Sequence, residues 1–195
     1  MKRAAGVAFA MGLAAVQAVA AEAVPVVDSV EVASRTFVWG CVAHMGAYAE
    51  LRDKLQPGHD LYLPQLSPAD AKPFLQGREG EAFARFDAGV TLVLLKAEEQ
   101  CAVFMQKGSP DRLYKQLDKD LRAALGRSFA VKGAGSEVKG PMVARFIDMN
   151  PTGDYRAELL KRYGSEPAGL RTILTTSETA NPNLQAIITI GTRQP

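Results

Sequence analysis

The sequence predicts an α+β fold in which an antiparallel β-sheet packs against two main helices and one disulfide links the two layers. Two segments place apolar residues at helical spacing. Each is followed by short runs of alternating or β-branched residues, separated by Gly, Pro, Asn and Ser. Strands grouped after helices, without strict alternation, are typical of α+β proteins. The composition, 47% hydrophobic and 23% charged over 195 residues, suits one globular domain.

The first helix is predicted over residues 34–56, because its apolar residues share one broad stripe: Phe37, Cys41, Met45, Tyr48 and Leu55. Pro57-Gly58 ends it. We expect residues 21–33 to form an extended N-terminal segment. A proline-rich connector follows, with one short helical turn at 67–72.

Three strands come next, at 81–86, 90–96 and 101–107. The first alternates, with Ala82, Ala84 and Phe86 on one side. The second is apolar on both sides, which is typical of a central strand. Short turns at 87–89 and 97–100 join them, so we expect a three-stranded meander.

Ser109-Pro110-Asp111 predicts the start of a second helix: an N-cap residue, proline at the first helical position and an acid in the first turn. Its buried stripe contains Leu113, Leu117 and Leu121, and Gly126 ends it.

Four to five further strands are predicted at 129–132, 142–149, 154–163, 170–177 and 184–191, the last two pairing as a hairpin. The glycine-rich stretch from Gly133 to Gly140 is interpreted as a flexible hairpin turn, so its Ser136-x-x-Lys139 spacing lacks the helix that catalysis would need. Residues 34–195 are expected to form a single domain, with two helix-plus-meander halves (34–107 and 109–191) as an ancient duplication.

The N-terminus has the three-part pattern of a signal peptide. Lys2 and Arg3 precede an uncharged, alanine-rich stretch that ends in small residues. A membrane anchor would carry more Leu, Ile and Phe, so we expect residues 1–20 to be cleaved after Ala20. No later stretch is long enough to span a membrane, and the mature protein is expected in the periplasm or outside the cell.

Cys41 and Cys101 are the only cysteines. In an oxidising compartment they are expected to form a disulfide. Two other interpretations remain open: a metal site formed by Cys41, His44 and Cys101, although zinc usually needs further ligands, and a reactive or unpaired thiol.

No catalytic constellation or cofactor motif is evident, so we favour a non-enzymatic protein without a bound metal or cofactor. The candidate binding surface consists of Trp39, His44 and Tyr62, because an exposed tryptophan favours a binding role. Without Lys2 and Arg3, basic and acidic residues are equal at 21 each. A neutral mature chain does not favour nucleic acid as a partner.

Several short motifs resemble an uncharacterised family of exported proteins and lipoproteins of Gram-negative bacteria. They are Phe37-x-x-x-Cys41, Leu63-Pro64-Gln65-Leu66 followed by Phe74-Leu75-x-Gly77, Cys101-Ala102-Val103-Phe104, Leu174-Thr175-Thr176-Ser177 and Leu184-Gln185-Ala186. The resemblance implies an exported domain with a cysteine pair and carries no activity with it. This chain has Phe83 where the family pattern often has Trp, and it lacks a lipobox.

The sequence therefore predicts an exported, non-enzymatic periplasmic protein that binds an unknown protein or envelope component. One alternative is an inhibitor or immunity protein that blocks a toxin. Another is a small hydrolase, or a metal or ligand carrier, that uses Cys41 and His44.

Overall fold

The computed structural model describes residues 27–97, 99–177 and 184–193. The predicted signal peptide and residues 21–26 of the predicted extended segment lie outside these ranges. Seven antiparallel strands form one sheet in the order β1-β2-β3-β7-β6-β5-β4. The strands are β1 (Gly80–Arg85), β2 (Val90–Leu95), β3 (Gln100–Met105), β4 (Phe129–Lys139), β5 (Met142–Pro151), β6 (Gly169–Ser177) and β7 (Ala186–Arg193).

Five α-helices and one π-helical segment accompany the sheet. They are α1 (Ser29–Thr36), the π-helical segment (Phe37–Val42), α2 (Tyr48–Lys54), α3 (Pro68–Leu75), α4 (Pro110–Leu125) and α5 (Gly153–Tyr163). This architecture confirms the predicted α+β class. The meander β1-β2-β3, the start of α4 at the Ser109 N-cap and the β6–β7 hairpin are all as predicted.

The predicted first helix differs from the structure at both ends. Its helical part begins at Ser29, inside the segment predicted to be extended, because the Asp28 carboxylate accepts a hydrogen bond from the Val30 amide at 3.0 Å and caps the helix. It is also not continuous. Gly46 has φ +80°, a left-handed conformation that interrupts a helix, and α2 starts afresh at Tyr48.

The strand predicted at 154–163 is wrong, because these residues form α5. Tyr155, Leu159 and Tyr163 alternate in part with polar residues, but they also recur every four positions, which suits a helix equally well. Gly164, with φ +68°, ends the helix in the left-handed conformation. This local signal favours a helix over a strand for the segment.

The flexible turn predicted for 133–140 is also largely wrong, because β4 continues through it to Lys139. The turn itself is confined to Gly140 and Pro141. Ser136 and Lys139 lie three residues apart on a strand, where side chains alternate between faces. They therefore point to opposite faces of the sheet and do not form a catalytic pair.

The main core lies between one face of the sheet and the layer formed by α1, the π-helical segment and α4. Leu113, Leu117 and Leu121 of α4 are fully buried in it. A smaller core lies on the other face, where α3 packs on the first three strands through residues such as Ala71 and Phe104. The sheet face opposite α4 is therefore covered by a described helix only at its β1–β3 end.

The disulfide joins the π-helical segment to the sheet. Cys41 and Cys101 are bonded, with a Cα–Cα distance of 5.4 Å, and both are buried in the main core. This confirms the predicted pairing. In the chain-entropy description, closing a loop of 60 residues stabilises the fold by about 4 kcal/mol.

The two predicted halves meet at the centre of the sheet, where β3 lies beside β7. At the outer edge of the first half, Gln65 forms an isolated bridge to Phe83 of β1. This short contact lies beside β1 as β4 lies beside β5 in the second half.

Candidate functional site

A cavity of about 270 Å³ opens beside the π-helical segment, and we call it the Trp39–Tyr62 pocket. Its floor is apolar, formed by Leu51 and Leu55 of the α2 region and Leu92 of β2, all fully buried. The remaining lining residues are Arg35, Thr36, Trp39, Gly40, Asp60, Leu61, Tyr62, Leu63 and Arg85.

Two aromatic side chains at the rim are exposed: Trp39 to 56% and Tyr62 to 46%. Large aromatic side chains usually bury most of their area. These two come from segments 23 residues apart, and the loop at 59–63 brings Tyr62 up to Trp39. The Leu63 amide fixes this loop by donating to the Leu55 carbonyl at 3.3 Å.

Trp39 is placed by the π-helical geometry. Residues Phe37, Val38 and Cys41 of this segment are buried in the core, while Trp39 points outward. Short π-helical segments inside helices are often found at functional sites. Cys41 is bonded to β3 two residues after Trp39, so the backbone that carries the tryptophan is covalently fixed to the sheet.

His44 supports this segment from inside. Its Nδ1 lies 3.1 Å from the Trp39 carbonyl oxygen and 3.2 Å from the Gly40 carbonyl oxygen, and its Nε2 lies 3.0 Å from Lys54 Nζ. An ammonium group can only donate, so Nε2 accepts the hydrogen bond and Nδ1 carries the proton that is donated to the carbonyls. His44 thereby satisfies carbonyl groups at the end of the π-helical segment.

Two arginines at the rim of the pocket are held in place by acids. Arg35 pairs with Glu31 at 3.3 Å, and Arg85 pairs with both carboxylate oxygens of Asp87 at 2.9 and 3.1 Å. The hydrogen bond from Arg85 lowers the pKa of Asp87 below its ordinary value, so the pair is ionised at neutral pH. The rim therefore combines aromatic rings with oriented guanidinium groups around an apolar floor.

The structure brings together Trp39 and Tyr62 of the predicted binding surface and leaves out the third residue. His44 is only 9% exposed and does not line the pocket, so the structure does not bring it together with Trp39 and Tyr62, and a role for it in binding stays a prediction. A histidine four residues after a helical carbonyl can bond to that carbonyl, and this local spacing was the available signal. Sequence reasoning missed Arg35, Arg85 and the leucine floor.

The Cys41–Cys101 bond occupies both sulfurs, so neither can be a thiolate ligand or a nucleophile. The bond therefore excludes both alternatives left open by the sequence: a metal site in which Cys41 and Cys101 act with His44, and a reactive or unpaired thiol. Within residues 27–97, 99–177 and 184–193, no other group of three or more metal-binding side chains is found.

Two other cavities have ion pairs in their walls. One, of about 460 Å³, lies between α2 and β1 and contains an ion pair between Arg52 and Glu81. Its wall includes Tyr48, whose pKa is raised above the ordinary value by burial. Another, of about 360 Å³, lies between α4 and β4, where Arg145 pairs with Asp111. Exposed aromatic rings around an apolar floor distinguish the Trp39–Tyr62 pocket from both.

Comparison with protein-family models, with curated proteins and with solved structures finds no match. Among the residues that the structure describes, no helix has the length and apolar character needed to cross a membrane.

Proposed function

We propose that this protein is an exported, non-enzymatic binding protein that holds a protein partner at the Trp39–Tyr62 pocket. The observation that carries the proposal is the combination of two exposed aromatic rings and two oriented arginines around an apolar floor. Trp, Tyr and Arg are the residue types that dominate the binding energy of protein interfaces. In this proposal, an apolar side chain of the partner enters the cavity and the rim contacts the surrounding backbone.

The rigidity of the pocket supports tight binding. Leu51, Leu55 and Leu92 are fixed in the main core, and the disulfide fixes the backbone next to Trp39. A preformed site loses less conformational entropy when the partner binds. Compared with a flexible loop, such a site binds more tightly for the same contacts.

Export is supported by the signal-like N-terminus and by the disulfide, because disulfides persist in oxidising compartments. The periplasm is therefore the compartment in which we propose that the partner is found. The resemblance to exported Gram-negative proteins agrees with this proposal.

Affinity capture from periplasmic and solubilised envelope fractions tests the proposal. Trp39→Ala and Tyr62→Ala remove the rim rings, and Tyr163→Ala is the matched control, because Tyr163 is even more exposed than either ring but lies on α5, away from the pocket. We expect wild type and Tyr163→Ala to retain the same partner. The two pocket variants are expected to bind it at least ~30-fold more weakly, as hot-spot residues do.

Trp39 is the only tryptophan, so its fluorescence reports on the pocket directly. Titration with the purified partner is expected to shift Trp39 emission and to saturate at one partner per protein. A partner that binds all three variants equally, or the absence of any partner at micromolar concentration in both fractions, would contradict the proposal.

A further inference from the structure

The two edge strands of the sheet, β1 and β4, differ in whether another segment of the chain hydrogen-bonds to them. Next to β1, the chain itself covers the edge: the Leu66 amide donates to the Ala82 carbonyl at 2.8 Å, and the Ala84 amide donates to the Pro64 carbonyl at 2.9 Å. Next to β4, no strand of the described ranges lies beyond the edge. Within the described ranges, only the β4 edge is therefore left without a backbone partner and available for pairing with another chain.

The β4 edge is long and exposed. The strand has eleven residues, and those from Lys132 to Lys139 are all exposed. Val138 on this strand is exposed to 67%. Natural sheets usually shorten or cover such an edge, because its unpaired amides and carbonyls are a template for another strand.

A bulge in β4 determines which faces its side chains occupy. Gly133 pairs with Ile147 and Ser136 pairs with Arg145, so two residues of β4 lie opposite Phe146 alone. Because of the extra residue, Gly133 and Ser136 point to the same face. Val131 and Val138 consequently lie on the face covered by α4, whereas Lys132 and Glu137 both lie on the opposite face.

We propose that β4 pairs antiparallel with β4 of a second copy of this chain, about a twofold axis between Ala134 and Gly135. This register places Lys132 opposite Glu137 of the second copy and Val131 opposite its Val138, each twice by symmetry. In a regular strand, Lys132 and Glu137 would point to opposite faces and could not lie opposite each other across the pair. The extra residue in the bulge places them on the same face. A register confined to Ser136–Lys139 would pair only about four residues per chain, too few for a stable interface.

Charge complementarity supports a second copy as the occupant. Neither Lys132 nor Glu137 has an ion-pair partner within the described residues. Opposite charges directly across an antiparallel pair are favourable, and like charges are unfavourable. The strand is thus complementary to itself in sign as well as in backbone geometry. This proposal does not depend on the Trp39–Tyr62 pocket.

Sedimentation velocity of the disulfide-bonded protein, from ~1 µM to ~1 mM, tests the pairing. We expect a reversible monomer–dimer equilibrium for wild type. Glu137→Lys places two lysines opposite each other at both symmetric positions and is expected to weaken the dimer about tenfold or more. The double variant Lys132→Glu/Glu137→Lys is expected to restore it. Glu50→Lys, an exposed change on α2, is the control.

A monomer at every concentration would overturn the proposal. A dimer unaffected by Glu137→Lys, or one not restored by the double variant when its near-ultraviolet circular dichroism is that of wild type, would also overturn it. If the double variant does not fold, Val138→Lys replaces it. This exposed substitution is expected to weaken the dimer by a similar factor, and a dimer of undiminished strength would refute the register.

Discussion

The Cys41–Cys101 bond closes a loop of 60 residues between the π-helical segment and β3, and its removal should lower the stability of the fold strongly. The chain-entropy relation gives about 4 kcal/mol for a loop of this length. A small domain is stabilised by only ~5–15 kcal/mol in total. Reduction is therefore expected to remove a large share of the free energy of unfolding.

Urea unfolding followed by Trp39 fluorescence measures this change. With a dependence on urea of about 2 kcal/mol per molar, reduction of wild type is expected to lower the unfolding midpoint by about 2 M. Oxidised and reduced wild type have the same amino-acid sequence and differ only in the disulfide bond. Cys41→Ala/Cys101→Ala, measured with and without reductant, controls for effects of the reductant on other groups.

A change smaller than ~1 kcal/mol would refute the reasoning, because the unfolded chain would then gain little freedom from the broken loop. A second observation is expected from the same samples. Since Trp39 lies two residues before Cys41, its emission in the folded, reduced protein should differ from that of the oxidised protein. Identical spectra would mean that the bond does not hold the pocket.

Three further substitutions test other parts of the structure by thermal or urea unfolding. Asp148→Asn removes the charge of a buried carboxylate that pairs with the partly exposed Arg171 and Arg193 and should cost about 2 kcal/mol at pH 7. These arginines lower the Asp148 pKa below its ordinary value of 3.8. The stabilisation from the ionised Asp148 carboxylate is therefore complete above about pH 5 and decreases as the pH falls further and the carboxylate becomes protonated in the folded protein. The two proteins should therefore approach each other in stability in acid, and a constant difference down to pH 2 would contradict this. Gly46→Ala should cost about 1 kcal/mol, because φ is +80° at this position and alanine is strained in that conformation. An unchanged unfolding midpoint would show that alanine is tolerated there. Leu117→Ala should cost ~2–5 kcal/mol through the cavity left in the main core; a loss below 1 kcal/mol would mean that α4 is not packed as described.

The elements that could be predicted from the sequence are those with strong local signals. The Ser109-Pro110 start fixes α4, because both residues favour a helix N-terminus whatever surrounds them. The β-branched runs in β6 and β7 predict strands for a similar reason. Here local preference and the final fold agree.

The elements that were missed have weak or misleading local signals. In α5, apolar residues fit both a helix and a strand, and Gly164 is the residue that distinguishes the two. No pattern in the sequence predicts the π-helical segment, in which Phe37 and Cys41 are both buried in the main core. The glycines of β4 suggested a turn, but pairing with β5 keeps that segment extended.

The candidate site could be predicted only in part. An outward-pointing Trp39 is expected if the stripe that contains Phe37 and Cys41 faces the sheet, and Tyr62 is one of the aromatic residues that could line a pocket. Their meeting depends on how residues 59–63 fold back onto the π-helical segment. Arg85 reaches the same cavity from β1, and the strand order that brings it there is not encoded in any local pattern.

The proposed function depends on export and on the cross-link, and one mass measurement tests both. The 195-residue chain is expressed in a Gram-negative host, and the protein is recovered from the periplasmic fraction for intact-mass determination under non-reducing conditions. We expect the mass of residues 21–195 less two hydrogens. The uncleaved chain in the membrane or cytoplasmic fraction, or a mass that retains both thiol hydrogens, would contradict the account.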